Sequence, residues 1–455
     1  MPELITKINS EISALVWGTP MLILILSIGI FYTFKTGFFQ FRYIKLISQK
    51  TILAIFKDKS VRSTSDKKSI TQLQALSTAL AATIGTGSIA GVATAITLGG
   101  AGAVFWMWMS AILGMMTIYA ENVLGICFRR KNKKGEWCGG AMYYIEHGLH
   151  SKWLAVLFAV FCVLASFGMG NMTQSNAISG AMNESFHVPE KLTGLIFSLL
   201  TGLVILGGIK RIGKVAERVI PTVTVLYIIA CCAVIFLNIN IIPEVIERIF
   251  KEAFGLGAVS GGISGAMVKK AVSMGVRRGV FSNEAGLGSS VTVHSAADVN
   301  EPAVQGMWGI FEVFIDTIVV CSLTAFVILT GGKESLSDGA PLVIQSFRNG
   351  LGGFASVFVS GSVIIFAFAT IIGWSYMGEK AAEYIFGERS VYIYRLIFTG
   401  FVYVGAVSQL ELVWSISDTF NALMAIPNLI ALALLSGTVF KVTDDYLKKQ
   451  RFYNF

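Results

Sequence analysis

Charge is scarce in this sequence. Asp, Glu, Lys and Arg supply 14% of its 455 residues, against 54% hydrophobic ones, and the mean hydropathy is +0.69. A soluble chain of this length needs far more charge to cover its surface, so a soluble globular fold is excluded. Histidine is rarer still. The four (His147, His150, His187 and His294) are scattered and give no zinc spacing. The six cysteines (Cys127, Cys138, Cys162, Cys231, Cys232 and Cys321) show no paired metal spacing, lie mostly in apolar segments and read as small helix-packing residues. No histidine pair has catalytic spacing, and an intramembrane enzyme would need a nucleophile with a base or a metal site, so no enzyme is expected.

What the sequence has in abundance is apolar runs of about 20 residues, enough to cross a bilayer. The expected class is an all-α polytopic membrane protein with the lipid bilayer as its solvent. The first run, Trp17–Phe34, is followed by basic residues and no small-residue cleavage site, so it reads as a retained helix. Ten further spans fall near 72–98, 102–128, 152–182, 192–208, 219–237, 257–276, 302–330, 352–378, 391–407 and 411–437, making eleven. The span at 257–276 is the weakest, being glycine-rich and carrying Lys269-Lys270.

Loop charge fixes an expected orientation. With the N-terminus outside, the basic clusters at 35–68, 129–134, 210–218, 269–278, 380–395 and 441–451 fall inside. That assigns 30 of the 36 Lys and Arg to the cytoplasm and six (Lys7, Lys191, Arg248, Lys251, Lys333 and Arg348) to the exterior. The C-terminus is then cytoplasmic. The net charge of +9 follows from this orienting excess and needs no nucleic-acid partner. The stretch "FFQFRYIKLISQKTILAIF" mixes aromatics with Lys and Arg and reads as an amphipathic segment on the membrane face.

Removing the leading helix leaves ten spans, two fives. The expected organisation is residues 1–71 for the leading helix and amphipathic segment, 72–237 and 257–437 for two five-helix repeats of opposite orientation, 238–256 for an extracellular loop, and 438–455 for a tail. The first span of each half is the Gly/Ser-rich one: "TIGTGSIAG" (Thr83–Gly91) and "SGGISGA" (Ser260–Ala266). Glycine in a helix interior costs about 1 kcal/mol relative to alanine, and an unwound turn survives in a membrane only where it lines a cavity. There, half-helix N-termini favour a carboxylate and freed carbonyls hold a cation. Close helix packing through small residues explains either segment alone; both at repeat-related positions favour a broken-helix site for a small zwitterion. A dinucleotide loop does not fit, since no strand precedes "GTGSIAG".

Four acids, Glu121, Glu312, Asp316 and Asp418, fall within spans, and each must face the bundle interior or water. Cation coupling and simple pairing with Lys, Arg or broken backbone both account for them. Gln174, in "GNMTQSN", suits a polar substrate contact, and Trp374, in "FAFATIIGWSYMGE", reads as a pocket wall or a packing aromatic.

Five blocks, "GGAGAVFWMWMSAILG", "TIGTGSIAGVATAI", "GVFSNEAGLGSS", "FIDTIVVCSLTA" and "NALMAIPNLIAL", resemble the alanine or glycine:cation symporter family of the amino acid–polyamine–cation superfamily, in order along nearly the whole chain. The resemblance implies an inner-membrane symporter with the leucine-transporter fold, a 5+5 inverted repeat plus one N-terminal helix. It implies import of a small neutral amino acid (alanine or glycine, with glutamine open) by alternating access, coupled to Na⁺ or alternatively H⁺, and no cofactor beyond that ion. An uncoupled channel or a sensor on the same scaffold is the competing reading. Carried over by position, Thr86, Gly87 and Ser88 contact substrate from the first broken helix. Gln174 does so from the third core helix and Gly261, Gly262 and Ser264 from the sixth, while Trp374 closes the pocket. Na⁺ is placed between the carbonyls of Ala81 and Ile84 and the Thr370 hydroxyl. The family usually has Asn where this chain has Ser88 and a hydroxyl residue where it has Ala369, which bears on substrate choice and ion stoichiometry.

Overall fold

The computed structural model describes residues 2–64, 66, 68–255, 261–331, 339–408 and 410–453. The chain is helical almost throughout, as a low-dielectric surround demands: every backbone N–H and C=O must be paired within its own segment. Helix α1 (Thr19–Lys35) is the leading span. The first core span is broken into α2 (Gln72–Thr83) and α3 (Val92–Gly99), bent by 49° across the interruption. Next come α4 (Gly102–Phe128), α5 (Lys152–Phe167) continuing through a π-helical turn into α6 (Thr173–Phe186), α7 (Glu190–Ile205) and α8 (Gly208–Leu237).

The second half holds α9 (Ile242–Phe254), α10 (Gly261–Asn283), α11 (Pro302–Val313) running through a π-helical stretch into α12 (Ser322–Thr330), α13 (Gly353–Phe386), α14 (Ser390–Val407), α15 (Leu410–Leu434) and α16 (Ser436–Tyr453). Eight helices among the described residues are long and apolar enough to cross a membrane, nine if the bent α2–α3 pair is one span. All eleven expected spans are helical, but two fall short of that standard. Helix α7 has only 16 residues, and α10 carries Lys269, Lys270, Arg277 and Arg278.

Local chemistry explains several boundaries. Helix α2 opens on a reciprocal cap: Gln74 N donates to Thr71 Oγ1 at 3.0 Å, and Thr71 N donates to Gln74 Oε1 at 3.2 Å. Pro302 opens α11, where its missing N–H is no loss. The amphipathic segment forms short helices over Phe39–Arg42, Ile44–Lys50 and Ile52–Lys57. They bury Phe39, Ile47 and Ala54 and expose Phe41, Ile44 and Phe56.

Two expected connections are helices instead. The segment taken as the 238–256 loop contains α9, strongly amphipathic, whose Glu252 accepts a hydrogen bond from Ala101 N at the turn between α3 and α4. The expected tail from 438 belongs to α16, which packs on α4 through Tyr119 OH and Thr443 Oγ1, 2.9 Å apart.

The ends of the bundle are distinguishable. At one, the short hairpin of β1 (Arg130–Lys131) and β2 (Trp137–Cys138) follows α4. Arg129 donates to the carbonyls of Ser295, Ala297 and Val299, and Asn132 donates to Glu383. Lys131 pairs there with Asp66, whose carboxyl is held below its usual range chiefly by the backbone N–H of Lys68. At the other end lie the α3–α4 turn, α9 and the first half of α10, with Lys270 O beside Gly99. Arg277 and Arg278 pair with Asp418 at 3.6 and 3.5 Å. The 269–278 cluster, counted above with the basic loops, lies within α10: Lys269 and Lys270 in its first half, Arg277 and Arg278 in its last third, where Asp418 balances both. The leading segment lies along α15, with Trp17 Nε1, just before α1, donating to Asp418 O at 2.6 Å and Tyr32 OH of α1 to Leu432 O at 2.7 Å.

Candidate functional site

Helix α2 ends at Thr83 and the chain leaves helical geometry at Ile84 (ψ 85°) before re-forming as a π-helical turn over Gly87–Gly91. The sequence "TIGTGSIAG" thus marks a real break. A Cβ at Gly85 would overlap the Thr370 hydroxyl of α13, so only glycine admits this approach. Thr86 N donates to Gln174 Oε1 at 3.4 Å, and Gln174 Nε2 donates to Met169 O at 3.0 Å, inside the π-helical turn between α5 and α6. The Thr86 hydroxyl is buried without a partner. Such an orphan at a helix break is a free valence for a ligand.

The second break lies elsewhere than expected. Helix α10 runs unbroken from Gly261 to Asn283, so Gly261 and Gly262 form no turn; Ser260 and the side chain of Ser264 lie outside the described residues. The chain unwinds at Glu284–Ser290, where Glu284, Gly286 and Gly288 have φ of 58°, 93° and 75°. Glycine richness at 257–265 permits a break but does not require one. Alternate left-handed residues over 284–288 do require one. What meets the first break is therefore the end of α10. Ser282 Cα lies 3.1 Å from where a Cβ on Gly87 would stand, and the Ser88 and Ser282 hydroxyls are 3.0 Å apart.

Asp316 sits at this junction, fully buried, in the π-helical stretch after α11. Ser88 Oγ donates to its Oδ1 at 2.6 Å, Ser282 Oγ to its Oδ2 at 2.8 Å, and Thr317 Oγ1 to its Oδ2 at 2.8 Å. Three hydroxyls hold a carboxylate where hydrocarbon alone would not. Beside it, Trp374 Nε1 donates to Glu284 Oε1 at 2.7 Å and Ser289 Oγ to Glu284 Oε2 at 2.5 Å. A Cβ on Gly170 would overlap Trp374, so the indole packs directly on the π-helical turn that precedes Gln174.

Of the residues expected at the ion position, Ala81 and Thr370 meet. Thr370 Oγ1 donates to Ala81 O at 2.8 Å and to Phe366 O at 3.1 Å, bringing three oxygens from two helices together next to Ile84. This oxygen set suits a hard monovalent cation. Ala369 faces the other way, into an apolar cavity of about 340 Å³ lined also by Ala81, Phe197, Val219, Ile364 and Phe368.

The sodium:alanine symporter family model matches residues 2–453. The chain belongs to that family. It is 43% identical over 453 residues to the sodium/alanine symporter AgcS of Methanococcus maripaludis, covering 98% of this chain and 97% of that one. It is 37% identical over 455 residues to the probable sodium/glutamine symporter GlnT of Bacillus subtilis, covering 99% and 92%. Among solved structures it resembles MhsT in complex with L-phenylalanine, with a TM-score of 0.60 at 14% identity over 84% of this chain and 93% of that one. That likeness bears on the fold alone.

Within this family member the acids divide between the two readings. Asp418 takes the plain one, paired with arginine. Glu121 bonds broken backbone, accepting from Gly286 N at 3.0 Å and from Asn428 Nδ2 at 2.6 Å. Asp316 stands between the two breaks, and Glu312 bonds His294. Three residues now at the site were not singled out from the sequence: Ser282, Glu284 and Asn283, whose Nδ2 donates to Thr317 Oγ1 at 3.1 Å. Their signal was the block "GVFSNEAGLGSS", whose alternate glycines after an acid mark left-handed turns.

Proposed function

We propose that this chain is a secondary active symporter importing a small neutral amino acid together with Na⁺ by alternating access. The reading rests on one observation. The first helix break brings the Thr86 N–H and its unpartnered hydroxyl, Gln174 and the Ala81–Thr370 oxygen set into one buried place. The broken end of α3 favours the substrate carboxylate. Gln174 and the Thr86 hydroxyl supply oriented polar contacts, and Trp374 walls the site. Na⁺ lies among the oxygens of Ala81, Ile84 and Thr370. Asp316, solvated by hydroxyls between the two breaks, offers the compensating negative charge for a cation or an ammonium.

The ten spans after α1 are read as two five-span repeats of opposite orientation, whose first members carry the two breaks. The N-terminus is outside and the C-terminus inside the cell membrane. Discounting Lys269, Lys270, Arg277 and Arg278, which lie within α10, leaves the majority of basic residues inside. Family membership supports amino acid and Na⁺ as cargo. The relatives named for alanine and for glutamine bracket the substrate, and the close packing of Gly87 on Ser282 favours the smaller.

The test is uptake of radiolabelled alanine, glycine and glutamine into proteoliposomes, with and without an inward Na⁺ gradient. Accumulation above equilibrium that depends on the gradient is expected, with alanine or glycine preferred. Saturable binding without flux identifies a sensor, and flux without accumulation a channel. Either result overturns the symporter reading.

A further inference from the structure

The transport site leaves one buried cluster without a role. His294 closes the single helical turn Val291–His294, directly after the second break. Its ring is clasped by α11: Nε2 lies 2.8 Å from Glu312 Oε2, and Gln305 Nε2 donates to Nδ1 at 2.5 Å. All three side chains are fully buried. With the amide so oriented, Nδ1 is the acceptor, and the imidazole proton sits on Nε2 and points at Glu312. Glu312 Oε1 and Gln305 Oε1 have no partner.

Glu121 on α4, Glu284 in the unwound turn and Asp316 beyond α11 are all fully buried, and their hydrogen bonds run to hydroxyl, amide, indole and backbone groups. The Arg129 guanidinium, nearby, is engaged by the carbonyls of Ser295, Ala297 and Val299. Helix α2, packed on the same turn, carries no titratable side chain. On α13, Glu379 pairs with Arg395, and Lys380 with Glu383. Lys45, exposed, and Lys50, half-buried, lie on the short helix packed on α11, and Lys449 of α16 pairs with Glu301. An ionised carboxylate facing a neutral imidazole carries an uncompensated charge in this interior, and one further proton on either group makes the pair neutral overall. Among the described residues no group of three His, Cys, Asp or Glu side chains stands close enough to hold a metal ion. A proton is the ligand that two such groups can bind.

We propose that His294 and Glu312 form a proton-binding site whose occupancy changes in the transport cycle. The site links the moving parts: His294 follows the second break, and Glu312 lies one helical turn before Asp316, which holds Ser88 of the first break. Resting on the symporter reading, the direction follows from charge. A cation arriving at the breaks repels the shared proton, so Na⁺ binding releases it.

The direct test is infrared difference spectroscopy of the purified chain in nanodiscs, without Na⁺ or amino acid, titrated from about pH 5 to 9 across the range in which histidine changes charge. A protonated-carboxyl band that titrates in this range is expected, absent in Glu312→Gln and shifted in His294→Gln. Glu312→Asp, which keeps the carboxyl, guards against a variant that does not fold. A pH dye in weak buffer then reads proton release on Na⁺ addition, expected to fall at least about threefold in Glu312→Gln. Spectra identical in wild type and Glu312→Gln overturn the site. A titrating band with no release on Na⁺ addition overturns its place in the cycle. A titrating band in a protein that accumulates no amino acid supports the proton site and overturns the symporter reading instead.

Discussion

Ser88 Oγ donates to Asp316 Oδ1 at 2.6 Å, tying the first helix break to a helix 228 positions further along the chain. A hydrogen bond to a charged group is worth about 1.5–3 kcal/mol. Ser88→Ala should therefore lower uptake efficiency about tenfold or more, with normal membrane insertion. Wild-type kinetics in that variant would remove the Ser88–Asp316 contact from the transport machinery.

Thr370 brings its hydroxyl to Ala81 O across the ion position. Thr370→Ala should raise the Na⁺ concentration for half-maximal uptake about tenfold, by loss of one ligand worth about 1–2 kcal/mol. Thr370→Ser, which keeps the oxygen, should restore most of it. The measurement is Na⁺ dependence at saturating amino acid; an unchanged half-saturation value would displace the ion from this place.

Gln174 orients the break through Thr86 N and is itself fixed by Met169 O. Gln174→Ala should raise KM for the amino acid about tenfold while Na⁺ dependence stays near wild type. Equal effects on both would mean that Gln174 supports the break rather than meeting the substrate.

Gly85 faces the Thr370 hydroxyl with no room for a side chain. Gly85→Ala should abolish most uptake, because the added carbon must push the first break and α13 apart at the proposed ion position. Uptake within twofold of wild type would show that the break is more yielding than its packing implies.

Asp418 is mostly buried between Arg277 and Arg278. Asp418→Asn should lower the thermal midpoint by several degrees, equivalent to about 1–3 kcal/mol after allowing for partial exposure. Asp418→Glu should recover part of the loss. A midpoint unchanged in Asp418→Asn would leave the arginines balanced by other groups.

The sequence made the spans and the first break legible because hydropathy and "GTGS" report directly on backbone cost in lipid. It misplaced the second break because glycine density is a poor proxy for conformation. Gly261 and Gly262 lie in ordinary helix, whereas Glu284, Gly286 and Gly288 adopt left-handed angles. Arg277 and Arg278 read as loop residues because nothing local reveals Asp418, some 140 positions away. His294 read only as one of four scattered histidines because its partners Gln305 and Glu312 become neighbours only when the unwound turn folds back on α11.

Two hydrogen bonds tie the leading segment to α15, from Trp17, just before α1, to Asp418 and from Tyr32, on α1, to Leu432. They lie 15 positions apart in the leading segment and 14 on α15. Two attachments so spaced act as a splint. A bend or tilt of α15 between Asp418 and Leu432 has to carry the leading segment with it or break one of these bonds.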